Sequence, residues 1–331
     1  MLHTTVEAAA APLMEAIAAA RHILVTTHLN PDGDAVGSLI GLGRALRQLG
    51  STVTLVAPTP LPLVAAALPD AADVRIYSAE RALPAEADLV ILVDTGSVSR
   101  VGPIYEDERP YLEARPLLVI DHHATNAGEG LINLVMTEAA SACEIVAQLL
   151  KAWNAPCDQE TATALLTGIL TDTQSFQIPA TSPRTMRVAA DLLEAGGRLN
   201  DVVRAMLFSK PFSHAKALGL ALGEMRQEGP VIWSELTRAM QAATGADDEA
   251  GDEITGYLTR ITGAKVYVLF KERRDGSVKI SFRSLPGIDV SLIAGEFGGG
   301  GHRQACGATV AGPLEQARAT VLGRLHDWLG A

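Results

Sequence analysis

Cysteine, basic charge and long apolar runs are all scarce in this chain, and each scarcity closes off a class of protein. Cys143, Cys157 and Cys306 are the only three cysteines in 331 residues, and none forms a CxxC pair. So odd and scattered a set excludes a disulfide framework, a zinc knuckle and a dithiol redox motif, and it fits reduced thiols in the cytoplasm. Lysine and arginine total 27 against 38 aspartates and glutamates, a formal net charge of -11. A basic surface that grips long nucleic acid by releasing counterions is therefore not expected. If the substrate is an anion, local groups rather than the overall field must attract it. No apolar run approaches the roughly 18 residues of a membrane-spanning helix. The opening MLHTTVEAAAAPLMEAIAAARH has Glu7 and Glu15 and no basic residue before Arg21. It lacks the positive segment of a signal peptide and reads as an amphipathic helix. A soluble, cytoplasmic protein without membrane contact is expected.

With 48% hydrophobic and 20% charged residues the chain can build a sizeable core, and its length favours two domains. Continuous Val/Ile/Leu runs at 22–28, 51–57, 87–94 and 116–123 alternate with a helical pattern at 34–49, and further helices follow at 139–153, 159–170 and 183–195. Such runs between helices predict a doubly wound α/β domain on a parallel sheet. Residues 1–199 are assigned to it, residues 200–213 to a linker broken by Lys210-Pro211, and residues 214–331 to a smaller α+β domain. In the latter, residues 264–273 and 277–284 read as a hairpin turning at Asp275-Gly276. The acidic stretch GADDEAGDE (245–253) reads as a solvated loop and helix start.

Four polar clusters fall at the ends of these elements: THLNPDGDAVGS (27–38), VDTGS (93–97), VIDHH (119–123) and LTDT (170–173). Each has a bland alternative. Asn-Pro-Asp-Gly-Asp by itself is a turn with Asp34 capping a helix that begins at Ala35, and Asp94 and Asp172 are also suited to helix ends. Ligands of open parallel sheets, however, bind beyond the carboxyl ends of the strands, where all four clusters would meet. Asp32, Asp34, Asp94 and Asp172 in one crevice would raise one another's pKa values and cost stability unless cations entered. Two divalent ions match those four charges. Carboxylates mixed with imidazoles and no thiolate suit Mn²⁺ or Fe²⁺; manganese is the expected ion, with Mg²⁺ or Co²⁺ as substitutes, and such a pair serves in-line displacement at phosphorus.

In this order the motifs His-x-Asn-Pro-Asp-Gly-Asp, Val-Asp-Thr, Asp-His-His and Thr-Asp-Thr resemble the DHH phosphoesterase superfamily. The tail GEFGGGGHRQACGATV (295–310), preceded by SFRS, is similar to the DHHA1 domain of one of its branches. Within the superfamily the chain resembles the nanoRNase and pAp phosphatase group. That resemblance implies hydrolysis of very short RNAs to mononucleotides and removal of the 3′-phosphate of adenosine 3′,5′-bisphosphate (pAp), in a cleft between the two domains. It implies that His28 and Asp32 hold one metal, that Asp34, His122 and Asp172 hold the other, and that Asp94 bridges them. His123 is implied to face the phosphate as a catalytic group, with Asp121 orienting a ligand and Asn126 supporting the loop. Arg283, Ser284, Gly299, Gly300, Gly301 and His302 are implied to hold a substrate phosphate remote from the scissile bond, with Arg303 and Arg260 as weaker candidates. Cys306 reads as packing. A linear or cyclic dinucleotide phosphodiesterase is the nearest alternative. A single-stranded DNA exonuclease, a manganese-dependent inorganic pyrophosphatase and a nucleotide-binding sensor are more distant. Self-association as a homodimer is left open.

Overall fold

The computed structural model describes residues 1–207, 211–247 and 250–330, and the chain divides into two compact units, Met1–Ser209 and Lys210–Ala331. The first is built on seven strands: β1 (Leu2–His3), β2 (His22–Thr26), β3 (Thr52–Ala57), β4 (Arg75–Ile76), β5 (Leu89–Val93), β6 (Leu117–Asp121) and β7 (Ile132–Val135). Their order is β1-β7-β6-β5-β2-β3-β4, and every neighbouring pair is parallel. The sequence of β5, LVILV, is buried throughout, as a strand covered on both faces must be. From β2 the chain builds outward through β3 and β4 on one side and β5, β6 and β7 on the other, so the order reverses between β2 and β5. That reversal is where an open α/β sheet leaves a crevice beyond its carboxyl ends.

Alternate side chains of these strands enter two apolar layers. Ile23, Val25, Leu55, Ile91 and Val93 join one, with residues of α1 (Val6–Ala19), α2 (Gly33–Gln48), α5 (Ala142–Ala152), α6 (Gln159–Asp172) and α7 (Pro183–Glu194). Leu24, Val56, Val90, Leu92 and Val119 join the other, with Tyr77 of α3 (Tyr77–Glu80) and Ile104 and Leu112 of α4 (Pro103–Glu113). The expected doubly wound architecture is thus present, with side chains alternating at the period of two that a strand imposes. Helix α2 is buried along most of its length, and it lies directly against α6. A Cβ on Gly168 of α6 would stand 2.2 Å from Cys143 Sγ and 2.4 Å from Asp34 Oδ1, so only glycine permits this approach.

The second unit holds a mixed sheet of six strands: β8 (Arg226–Glu228), β9 (Val231–Leu236), β10 (Val266–Glu272), β11 (Ser277–Ser284), β12 (Gly300–His302) and β13 (Ala305–Ala311). Their order is β12-β13-β11-β10-β9-β8; β9 and β10 are parallel and the other pairs antiparallel. The expected hairpin is β10–β11, with Gly276 at φ 82° in its turn. Phe270, Phe282 and Ile280 pack with Val321 and Leu325 of α13 (Leu314–Leu329) and with Ile293 of α12 (Ser291–Glu296). Of the segment 200–213, residues as far as Leu207 belong to α8 (Leu199–Leu207), residues 208–210 lie outside the described residues, and α9 (Phe212–Gly223) begins two residues later. A short α10 (Arg238–Thr244) follows β9, and α11 (Ala250–Leu258) precedes β10.

The acidic stretch 245–253 is not simply solvated, although its residues 248–249 lie outside the described residues. Buried His214 of α9 sits between two of its carboxylates, with Nδ1 2.6 Å from Glu253 Oε1 and Nε2 2.9 Å from Asp247 Oδ1. Burial acts to lower the imidazole pKa, but these carboxylates outweigh it and the net shift is upward. A buried imidazole needs such partners, which is why Glu253 turns inward while the exposed Asp247 caps the ring from the solvent side. Among the described residues, no helix is long and apolar enough to cross a membrane.

Candidate metal centre

The end of β2 supplies the first candidates. His28 is buried, and its Nδ1 lies 2.9 Å from the carbonyl of Leu29. A carbonyl only accepts, so Nδ1 carries the proton and Nε2 is presented to Asp94 Oδ2 at 3.5 Å and Asp32 Oδ2 at 3.9 Å. Asp32, not Asp34, caps α2: its Oδ1 accepts from the N–H groups of Asp34 and Ala35 at 3.0 and 3.1 Å. The helix begins two residues earlier than the expected cap required, at Gly33. Freed from capping α2, the buried Asp34 carboxylate accepts instead from Ala142 and Cys143, the first two residues of α5, at 2.6 and 2.9 Å. The positive end of that helix favours its ionised form.

Asp94 follows β5 with φ 53°, a left-handed conformation that aspartate tolerates better than most residues. Its Oδ1 is buried and accepts no hydrogen bond. His122 Nε2 comes within 3.4 Å of that atom, 3.4 Å of Asp172 Oδ2 and 3.9 Å of Asp34 Oδ2. On the far side of the ring, His122 Nδ1 faces the carbonyl of Ala139 at 3.4 Å. His123 turns differently: Nδ1 is 2.8 Å from Asp121 Oδ1 and 3.7 Å from Asp94 Oδ1. Asp121 is fully buried, and its second oxygen takes the Asn126 amide at 2.8 Å. Asn126 also donates to the Thr95 carbonyl and accepts from Gly128 N–H, so it ties the ends of two strands together. The partner that Asp121 orients is thus His123.

All six expected ligand residues, together with His123, form three overlapping groups whose donor atoms lie within 4.8 Å of one another: His28, Asp32 and Asp94; Asp34, His122 and Asp172; and Asp94, His122 and His123. Asp94 and His122 are shared between groups. Burial, then repulsion by Asp94, pushes the Asp34 carboxyl up to about 7, and burial with Asp34 and Asp94 pushes Asp172 up to about 9. Burial acts against His122, yet Asp94 and Asp34 outweigh it and raise the imidazole to about 10. Asp94 goes the other way: His122 and His28 outweigh burial and hold it below the usual carboxylate range. Carboxylates this close together, around a buried oxygen that accepts no hydrogen bond, are what a site that takes cations offers. These residues can hold divalent metal.

Immediately after Asp172 the backbone is strained. Gln174, Ser175 and Phe176 all have positive φ, at 48°, 60° and 67°. Thr173 pins this turn, its buried hydroxyl donating to the Ile169 carbonyl at 2.6 Å and accepting from Phe176 N–H at 2.9 Å. Nothing in TDTQSFQ announces the turn, because none of its three left-handed residues is glycine.

In the second unit, Arg283 and His302 lie on one rung of the sheet, each paired with Ala305. The His302 side chain lies outside the described residues. Arg283 is half-buried, with Nη1 donating to the Phe282 carbonyl at 2.9 Å, and the Ser284 hydroxyl donates to the Ile288 carbonyl at 2.7 Å. Gly300 and Gly301 belong to β12, while a Cβ on Gly299 would stand 2.1 Å from the Gly307 carbonyl. Arg303 is engaged with Asp289 at 2.9 Å, and Arg260 is exposed. Cys306 is buried against the apolar core, and burial pushes its thiol up to about 11, as packing rather than nucleophilic use requires.

Comparison with known proteins agrees with this geometry. The profile of the DHH family, N-terminal domain, matches residues 22–169, and that of the DHHA1 domain matches residues 228–331. A bifunctional oligoribonuclease and PAP phosphatase NrnA of Thermus thermophilus is 35% identical over 93% of this chain and 90% of its own. The chain belongs to the DHH family. Within the reach of that family it is also 30% identical to the cyclic-di-AMP phosphodiesterase GdpP of Geobacillus thermodenitrificans, over 96% of this chain but only 49% of that protein. An exopolyphosphatase-related protein of Bacteroides fragilis shares the DHH fold, with a TM-score of 0.88 at 23% identity, covering 96% of this chain and 95% of its own.

Proposed function

We propose that this chain is a two-metal phosphoesterase that hydrolyses short oligoribonucleotides to mononucleotides and removes the 3′-phosphate of pAp. One observation carries the proposal: the buried Asp94 carboxylate, with an unpartnered oxygen, is held in common by donor groups on either side of it. His28, Asp32 and Asp94 would hold one ion, and Asp34, His122, Asp172 and Asp94 the other. Two divalent ions, Mn²⁺ in our reading and Mg²⁺ or Co²⁺ as substitutes, would supply Lewis-acid stabilisation of the reacting phosphate and an activated water.

The chain's own residues do the rest. His28 and His122 each commit Nδ1 to a backbone carbonyl and so keep Nε2 for the ions. His123, held by Asp121, stabilises charge on the phosphate or passes a proton to the leaving oxygen. Residues 1–199 form the metal-binding domain and residues 214–331 the substrate-binding domain, joined by residues 200–213. Arg283, Ser284, His302 and the N–H groups of Gly299, Gly300 and Gly301 recognise the remote phosphate, which explains why no basic surface for long duplex nucleic acid is needed. Three free cysteines support a cytoplasmic location. A homodimer is compatible with this function.

Initial rates on pAp, a dinucleotide, a five-nucleotide RNA and pyrophosphate in the same Mn²⁺ buffer test the proposal. The first three should be turned over and pyrophosphate should not. Preference for a dinucleotide with no action on pAp would favour a dinucleotide phosphodiesterase, the reading supported by the similarity to GdpP.

A further inference from the structure

Two ligands of the proposed centre depend on a turn that none of them belongs to. Residues 138–142 offer the Ala139 carbonyl to His122 Nδ1 at 3.4 Å and the Ala142 N–H to Asp34 Oδ2 at 2.6 Å. Ala139 N–H donates to the Met136 carbonyl at 2.9 Å and Ser141 caps α5, and a buried acid adds a further hold on the turn. Glu144 is fully buried in the first turn of α5, and its carboxylate reaches back and outward at once. Oε2 accepts from Ala140 N–H at 3.0 Å and from the Thr185 hydroxyl at 2.8 Å. Oε1 accepts from Arg184 Nε at 2.5 Å, and the same guanidinium donates to the Glu138 carbonyl at 2.7 Å. Thr185 is itself fixed as the N3 member of the capping box that starts α7 with Ser182. Three donors from two elements thus converge on one carboxylate, beside the residues that aim His122 and clamp Asp34.

We propose that Glu144 is a positioning residue of the metal centre: through Ala140, Arg184 and Thr185 it fixes the 138–142 turn, which holds His122 and Asp34 in ligating geometry. The inference rests on the proposed two-metal function and concerns how tightly the chain binds metal. Glu144 touches no ligand donor atom; it acts on the backbone groups that do. Partners of this kind typically alter metal affinity by about 10- to 100-fold when removed.

Calorimetric titration of the full-length, metal-free protein with MnCl₂ tests this, comparing the wild type with Glu144→Gln. The amide keeps the shape but turns an NH₂ toward groups that already donate, so one contact must break. The expected result is Mn²⁺ affinity about 10- to 100-fold weaker, in a protein whose circular dichroism is unchanged. Turnover should recover as Mn²⁺ is raised, with KM for substrate unaltered, because the defect lies in loading metal. A folded Glu144→Gln protein with wild-type affinity overturns the inference, as does a loss of turnover that excess Mn²⁺ does not restore. If Glu144→Gln fails to fold, Thr185→Val removes a single donor and carries the same test, with weaker Mn²⁺ binding expected and unchanged binding overturning it. A wild-type protein that takes up no Mn²⁺ would instead overturn the proposed function.

Discussion

His122 and His123 are adjacent in sequence and are set apart by what their Nδ1 atoms meet. A backbone carbonyl fixes His122 as an Nε2 donor among three carboxylates, whereas Asp121 holds His123 through a hydrogen bond at Nδ1. Consecutive side chains leaving a strand diverge, so one metal does not take both in the same way. Replacing His122 by Gln should weaken Mn²⁺ binding, measured by calorimetry, by at least about 10-fold. The His123→Gln protein should retain metal and lose about 100-fold or more in kcat, the usual contribution of a positioned acid–base group. Loss of metal from the second variant would reassign His123 as a ligand, a role that its place in the group with Asp94 and His122 allows.

At the scale of elements, the site depends on how closely α2 and α6 approach, since Asp34 opens one helix and Asp172 closes the other. Gly168→Ala drives a methyl group into Cys143 Sγ and Asp34 Oδ1. Overpacking of this kind costs about 1–3 kcal/mol, so thermal denaturation should show a lower Tm, and the separated helices should bind Mn²⁺ less tightly. A second element-level lock joins α9 to α11 through His214. Its folded pKa is raised, so the stability it contributes is complete below its unfolded value of about 6.5 and is lost as pH rises through the folded value. The Tm difference between wild type and His214→Gln should therefore be largest near pH 6 and shrink on the alkaline side; a difference that grew with pH would contradict the charged pair. Neither lock was legible in the sequence. The partners of His214 lie 33 and 39 residues away, and Gly168 makes room for Cys143 and Asp34 of two other helices, separations over which no local period operates.

Across the whole molecule, charge is handled locally: an acidic chain concentrates carboxylates where metal would enter and, in the proposed function, recognises phosphate with a few groups of its second unit. Hydrolysis of 5′-labelled RNAs of increasing length should therefore fall off beyond a few nucleotides, and equal rates on long strands would contradict that division. The parallel sheet and the convergence of the candidate ligands were legible because β2, β5 and β6 are continuous apolar runs, each followed by a carboxylate or imidazole. Strands β1 and β4 were not, because two residues each carry no pattern and exist only by pairing with a longer neighbour. The cap was placed at Asp34 rather than Asp32 for a related reason: Asp-Gly-Asp holds two aspartates, and Asp34 is claimed by α5, more than a hundred residues on.

The left-handed turn at 174–176 has a consequence for how this chain would respond to selection. Each non-glycine residue there costs about 1–2 kcal/mol relative to an unstrained backbone, and the cost falls beside Asp172. A library selected only for heat tolerance would drift toward glycine at Gln174 and Ser175, since glycine adopts the same angles freely, whereas Phe176 is retained by its packing against the core. One selected for turnover has reason to resist that drift, because non-glycine residues at 174 and 175 narrow the angles open to the backbone beside Asp172. Enrichment at 174 and 175 under the two regimes would thus separate the fold's interest from the site's.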